Sequence, residues 1–221
     1  MPEFRAVLFD FDGTLANTSR GIKNSIRYAL GEKNIPVGDE SRLNYFIGPP
    51  LYDGFSHVYG ADEKLAEELV RLYRVYYAKS GVYECELYPE IPDMLEALKQ
   101  DGLKLGVVSS KPQHFLDMAV PHLNIESYFT TIVGPELKNK NADKSFLIRQ
   151  ALSQMNVERD SSVIMVGDRF YDIEGGKRAG VTAVGVTYGF GSEEELEQSG
   201  ADFLAHSPDE IVKFTELGGQ V

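Results

Sequence analysis

Five short apolar runs constrain this chain more than anything else in it. They are AVLF (6–9), KLGVV (104–108), TTIVG (130–134), SVIMVG (162–167) and TAVGVT (182–187). Each is rich in valine or isoleucine, and none is polar at every second residue. A strand with one wet face alternates; a strand buried on both faces does not, and such strands belong to parallel sheets. Helical patterns fill the intervals. Residues 91–101 put Ile91, Met94, Leu95 and Leu98 on one face and stop at Asp101-Gly102. Pro112 stands where a first helical turn tolerates proline. KSFLIRQALSQM carries Leu147, Ile148, Ala151, Leu152 and Met155 in helical register. SEEE (192–195) and SPDE (207–210) fit the capping box, serine followed three residues later by glutamate. Strand-helix-strand alternation predicts an α/β fold: a parallel sheet of about five strands, helices on both faces, right-handed crossovers.

Residues 16–82 break that rhythm. Ile22, Ile26, Ala29 and Leu30 share one helical face, and Leu65, Leu69, Leu72, Tyr73 and Tyr76 share another. With no strand signal between them, the segment predicts an all-helical domain inserted after the first strand. The expected division is 1–15 with 83–221 as the sheet core and 16–82 as a helical cap, joined near residues 15–19 and 79–86. The 221 residues suffice for one such core and a small accessory domain.

Charge narrows the partners. A net charge of −12 argues against a nucleic-acid polymer or an anionic membrane, both of which select basic faces. A small phosphorylated ligand stays open, because a metal or a few local cations suffice for it. The sole cysteine, Cys85, excludes an internal disulfide and a cysteine metal cluster. The opening MPEFRAVLFD is charged, with an apolar run too short for a secretory signal. No stretch reaches the roughly 18 apolar residues of a membrane span. A cytoplasmic protein, monomeric or weakly dimeric, is expected.

Ligands of open parallel sheets bind outside the carboxyl ends of the strands. Asp10 and Asp12 follow the first run, Ser109, Ser110 and Lys111 the second, and Asp168 and Asp172 the fourth. All should meet at one sheet edge. Four aspartates there repel one another unless a cation sits among them; a hard divalent ion such as Mg²⁺, held by carboxylates, water and a substrate phosphate, resolves this. Asp10 and Asp12 flank Phe11, so both carboxylates point one way if the backbone stays extended. Gly13 allows a sharp turn whose N–H groups could cradle an anion. Taken singly these residues are ordinary: a D-x-D in a turn, an Asp168 or Ser109 capping a helix, a solvated Lys144. Their joint placement at the ends of buried runs is not.

DFDGT (10–14), the serine at 109, a lysine opening a helix and GDRFYD (167–172) resemble the four motifs of the haloacid dehalogenase-like superfamily. The likeness spans nearly the whole chain. KSFLIRQAL (144–152), FIGPPL (46–51) and GVTYGFGSEEELEQSGAD (185–202) resemble its phosphoglycolate-phosphatase-like and 5′-nucleotidase-like branch, which has a Rossmann-like core and a helical cap. Two departures stand out. Where many relatives have K-P-x-P, this chain has KNKNADK (138–144), so Lys140 rivals Lys144; the downstream helix favours Lys144. Ser110 stands where relatives often have asparagine.

The resemblance implies a Mg²⁺-dependent phosphatase that hydrolyses small phosphate monoesters through an aspartyl-phosphate. Asp10 would be the nucleophile and Asp12 the general acid and then base, with Ser109 and Lys144 completing the catalytic set. The metal would be held by Asp10, the Asp12 carbonyl and Asp168, with Asp172 as a further acidic contact. Phe11, Gly13, Ser110, Arg20 and Gly48 would touch substrate, with Arg42, Pro49 and Tyr52 as further cap candidates. Tyr73, Tyr76 and Tyr77 read as cap core. Relatives that cleave carbon–halogen or carbon–phosphorus bonds lack an aspartate equivalent to Asp12, so its presence points to phosphate esters. A β-phosphoglucomutase-like phosphosugar mutase shares the four motifs and is the alternative. A non-catalytic phospho-accepting module also combines acids, a hydroxyl and a lysine, but the helical insert and the late GDRFYD argue against it.

Overall fold

A computed structural model describes residues 4–48, 50–137 and 143–219. In chain order its elements are β1 (Ala6–Phe9), β2 (Ala16–Asn17), α1 (Ser19–Glu32), α2 (Leu51–Tyr59), α3 (Glu63–Lys79) and β3 (Glu86–Leu87). There follow α4 (Ile91–Gln100), β4 (Lys104–Val108), α5 (Gln113–His122), β5 (Thr131–Val133), α6 (Lys144–Met155) and β6 (Val163–Gly167). The chain ends with α7 (Phe170–Ala179), β7 (Thr182–Val186), α8 (Glu193–Gln198), β8 (Phe203–Ala205) and α9 (Pro208–Glu216). Two compact units result, Met1–Ala16 with Leu87–Val221, and Asn17–Glu86.

In the first unit a sheet runs in the order β5-β4-β1-β6-β7-β8, every pair parallel. β1 is central and fully buried, which is why its sequence has no polar alternation. On one face Leu8, Val108, Val133 and Met165 share a core with Leu147, Ile148, Ala151 and Leu152 of α6. Elsewhere in this unit Ile173 of α7, Ala183 of β7 and Leu196 of α8 pack together. The sheet has six strands, not about five. The strand missed is β8, whose apolar run FLA is three residues long, sits at the edge, and buries only Ala205. A half-buried edge strand that short carries neither the two-faced run nor a full alternation.

Of the two expected capping boxes, one forms in part and the other does not form. Ser192 accepts the Glu195 N–H, but the Glu195 carboxylate turns to Arg169 and the Phe170 N–H. Ser207 makes no side-chain cap, and Glu210 accepts the His206 N–H instead. Pro112 is the N-cap of α5, one place before the first turn.

The second unit is helical. α1 buries Ile22, Ile26, Ala29 and Leu30 as its spacing requires. α3 buries Ala66, Leu69, Leu72, Tyr73 and Tyr77, a stripe turned slightly from the expected one, so Tyr77 is buried and Tyr76 reaches Glu84 with its hydroxyl. Among the described residues no helix is long and apolar enough to cross a membrane.

Candidate active site

The register sets the site. Phe9 pairs with Val107 on one side and Val166 on the other. Asp10, Ser109 and Asp168 therefore leave three adjacent strands at the same edge. The backbone does not stay extended beyond Asp10. Leu15 and Ala16 both donate to the Phe11 carbonyl, and Gly13 donates to the Ala16 carbonyl, closing a tight turn. The Gly13 N–H is thus engaged within the turn rather than offered to an anion, which corrects that part of the sequence reading. Gly13 has φ +88°, and a Cβ there would come 2.2 Å from Asp168 Oδ2. Glycine is demanded twice over, by conformation and by space.

Lys144 bridges two of the clustered acids. Its Nζ lies 2.7 Å from Asp10 Oδ1 and 2.7 Å from Asp172 Oδ1, and donates to the Val108 carbonyl at 2.9 Å. A cation in the first turn of a helix opposes the helix dipole, so helix stability does not explain lysine at this position. The helix is capped instead by Asp143, which accepts the Ser145 N–H. Room for the lysine stem comes from Gly175 of α7, where a Cβ would meet Lys144 Cβ at 2.6 Å. Asp172 shares itself between Lys144 and the Arg169 N–H. It packs so closely on the end of β6 that a Cβ on Gly167 would lie 2.2 Å from its own Cβ.

Asp168 is fully buried. It accepts the Phe190 N–H at 2.8 Å and the Thr14 hydroxyl at 3.3 Å. Burial, with Asp172 and Asp10 nearby, pushes its carboxyl well above the ordinary range. Burial also raises Asp10 to about 6; Lys144 opposes the rise, and Asp172 and Asp12 add to it. For Lys144 burial works against the charge, but Asp10 and Asp172 outweigh it and hold the ammonium above its usual value. The ligand atoms of Asp10, Asp168 and Asp172 lie within 4.8 Å of one another, close enough to hold one metal ion. The Asp12 carboxylate is elsewhere, paired with Lys111.

Ser109 is buried, and its Oγ accepts the Lys111 N–H at 3.2 Å. Ser110 is exposed. Phe11 is fully buried. Arg20 lies exposed on α1, and Gly48 is exposed with φ +108°. Arg42 is engaged inside the helical unit, over the Tyr59 ring at 4.7 Å and on the Val58 carbonyl. Lys140 and Pro49 lie outside the described residues.

The sequence reading missed three contributors. Thr14, inside a quoted motif, was given no task. The loop after β7 supplies the Phe190 N–H, and Gly189 and Gly191 in it let the backbone close on Asp168. Glycine on both sides of an aromatic just past a buried strand was the available signal. Tyr88 and Tyr188, with ring centroids 5.1 Å apart, form the third. Burial, then Asp168 and Asp12, raise Tyr88 to about 12; Tyr188 is raised too, and its hydroxyl donates to the Thr14 carbonyl.

Residues 7–186 match the haloacid dehalogenase-like hydrolase family, and the chain belongs to it. Within that family it is a phosphatase, an enzyme of the phosphoric monoester hydrolase class. It is similar to a 5′-nucleotidase of Pseudomonas aeruginosa, with 40% identity over 91% of this chain and 88% of the relative. It also resembles a phosphoglycolate phosphatase of Aquifex aeolicus, 31% identical over 96% and 97% of the two chains. A crystal structure of a predicted phosphatase from Clostridium acetobutylicum superposes with a TM-score of 0.87, at 40% identity over 95% and 97%.

Proposed function

We propose that this protein is a cytoplasmic, Mg²⁺-dependent phosphatase of small metabolites, a nucleoside monophosphate or phosphoglycolate, acting through an aspartyl-phosphate on Asp10. The observation that carries the reading is the buried Lys144 ammonium, 2.7 Å from both Asp10 and Asp172, at the carboxyl ends of the central strands. The donor set suits a hard divalent ion. Asp10, Asp168 and Asp172 offer oxygen ligands only, and three buried carboxylates face one buried ammonium. When bound, the ion supplies positive charge that offsets repulsion between Asp10 and the phosphoryl oxygens.

Asp10 would attack phosphorus while Lys144 neutralises charge beside it. Asp12 would give a proton to the departing alkoxide oxygen and later take one from the water that frees the phosphate. The Ser109 hydroxyl, fixed by its bond to the Lys111 N–H, would donate to a phosphoryl oxygen. The helical unit, Asn17–Glu86, would act as the cap that selects the leaving group, with Arg20 and Gly48 as candidate contacts. The test is hydrolysis of p-nitrophenyl phosphate, nucleoside monophosphates and phosphoglycolate in Mg²⁺, beside Asp10→Asn. Turnover should fall at least about 10³-fold in the folded variant, the scale of losing a reacting group. Near-wild-type turnover would sink the mechanism.

A further inference from the structure

Lys111 is a second buried cation. It follows β4 and is 7% exposed. Its Nζ lies 2.7 Å and 2.8 Å from the two carboxylate oxygens of Asp12, and 5.6 Å from the centroid of the Phe11 ring. Its backbone is fixed as well. The N–H donates to Ser109 Oγ, and a Cβ on Gly134 would come 2.4 Å from the Lys111 carbonyl. An exposed ion pair lets both partners rotate and contributes little. A two-oxygen grip by a buried nitrogen on an anchored backbone fixes one orientation of the carboxylate. Lys144 is committed to Asp10 and Asp172.

We propose that Lys111 is a positioning residue for Asp12, holding its carboxylate for the half-reaction in which Asp12 takes a proton from water. This rests on the acid–base reading of Asp12 given above. In that half, a water oxygen bonds to phosphorus and the bond from phosphorus to the Asp10 oxygen breaks. Its electron pair returns to the Asp10 carboxylate, and the water proton passes to Asp12. Phosphoryl transfer from an ester with a good leaving group needs no proton from Asp12, so loss of Lys111 spares that step.

Rapid mixing with p-nitrophenyl phosphate in Mg²⁺ separates the halves: a burst of p-nitrophenolate reports transfer to Asp10, and the linear phase reports hydrolysis. In Lys111→Met the burst should run at least as fast as wild-type turnover. The linear phase should fall about 10–100-fold, the range expected for a displaced proton-transfer group. Lys111→Arg should recover most of it. Lys111→Gln, run beside them, keeps the comparison standing if the methionine variant does not fold. A wild-type linear phase in both neutral variants overturns the proposal, and so does an equal loss in both phases, which marks a merely structural lysine. A wild-type linear phase in Asp12→Asn overturns the reading of Asp12 beneath it instead.

Discussion

Asp10 and Asp12 stand two residues apart, yet each has its own ammonium, and the two pairs are built differently. Lys144 comes from the start of a helix and is shared between Asp10 and Asp172, all three buried. Lys111 comes from the loop after β4 and serves Asp12, whose side chain keeps 22% exposure. The buried pair belongs to a cluster with more acids than cations. The other joins Asp12 to Lys111 beside that cluster. On the mechanism proposed above, the difference would separate two jobs for one D-x-D: attack in a buried, charge-compensated place, and proton exchange where water can reach.

Replacing Lys144 should break this division most severely. Lys144→Met removes charge compensation from Asp10 and Asp172 together. Both burst and linear phases with p-nitrophenyl phosphate should fall about 10³-fold, the scale of losing a preorganised electrostatic contact. The Lys111 variants should lose only the linear phase. If Lys144→Met behaves like them, the two pairs are equivalent and the comparison fails. A smaller effect should come from Gly175→Ala. Its new Cβ would press on the Lys144 stem at 2.6 Å, so either the lysine or α7 must shift. Overpacking of this kind costs about 1–3 kcal/mol, only partly offset by the helix propensity of alanine. Melting temperature and turnover should both drop. Gly31→Ala in α1 meets nothing within 4 Å and should raise the melting temperature slightly. Equal responses at the two glycines would show that Lys144 is not held by that contact.

Much of this arrangement was legible in the sequence, for reasons that differ by residue. AVLF, KLGVV and SVIMVG announce their strands because both faces are buried, and the residues just after them must then converge at one edge. That logic reached Asp10, Ser109 and Asp168 without any knowledge of side-chain contacts. It could not reach the pairing of Lys111 with Asp12 across 99 positions, because partner choice depends on side-chain direction after the backbone turns at Asp10. The Phe190 N–H is a backbone donor, so only its flanking glycines, Gly189 and Gly191, mark its place in the sequence. β8 was missed through shortness, and the two capping boxes were over-read because Glu195 and Glu210 find other donors.

Metal binding offers the subtlest way to sharpen the contrast between the two acids. Burial raises Asp10 to about 6 from an ordinary 3.8, and raises Asp168 well above it. At these two carboxyls the folded, metal-free protein therefore holds more protons than the unfolded chain from about pH 4 to about pH 6. Where the folded state binds more protons, stability falls as pH rises, so the metal-free cluster weakens the fold through that window. On the proposed function, Mg²⁺ would have to displace those protons. At about pH 7.5 Asp10 has already lost its own, whereas at about pH 5 its competition costs roughly tenfold in affinity, about 1.4 kcal/mol. Saturating Mg²⁺ should thus raise the melting temperature by several degrees at the higher pH and distinctly less at the lower, as ligand linkage requires. Lys111→Met should keep this pH-dependent gain, because Asp12 contributes no carboxylate to the cluster; Asp168→Asn should lose most of it. An equal gain at both pH values, or a gain abolished by Lys111→Met, would mean that the two acids share one electrostatic environment after all.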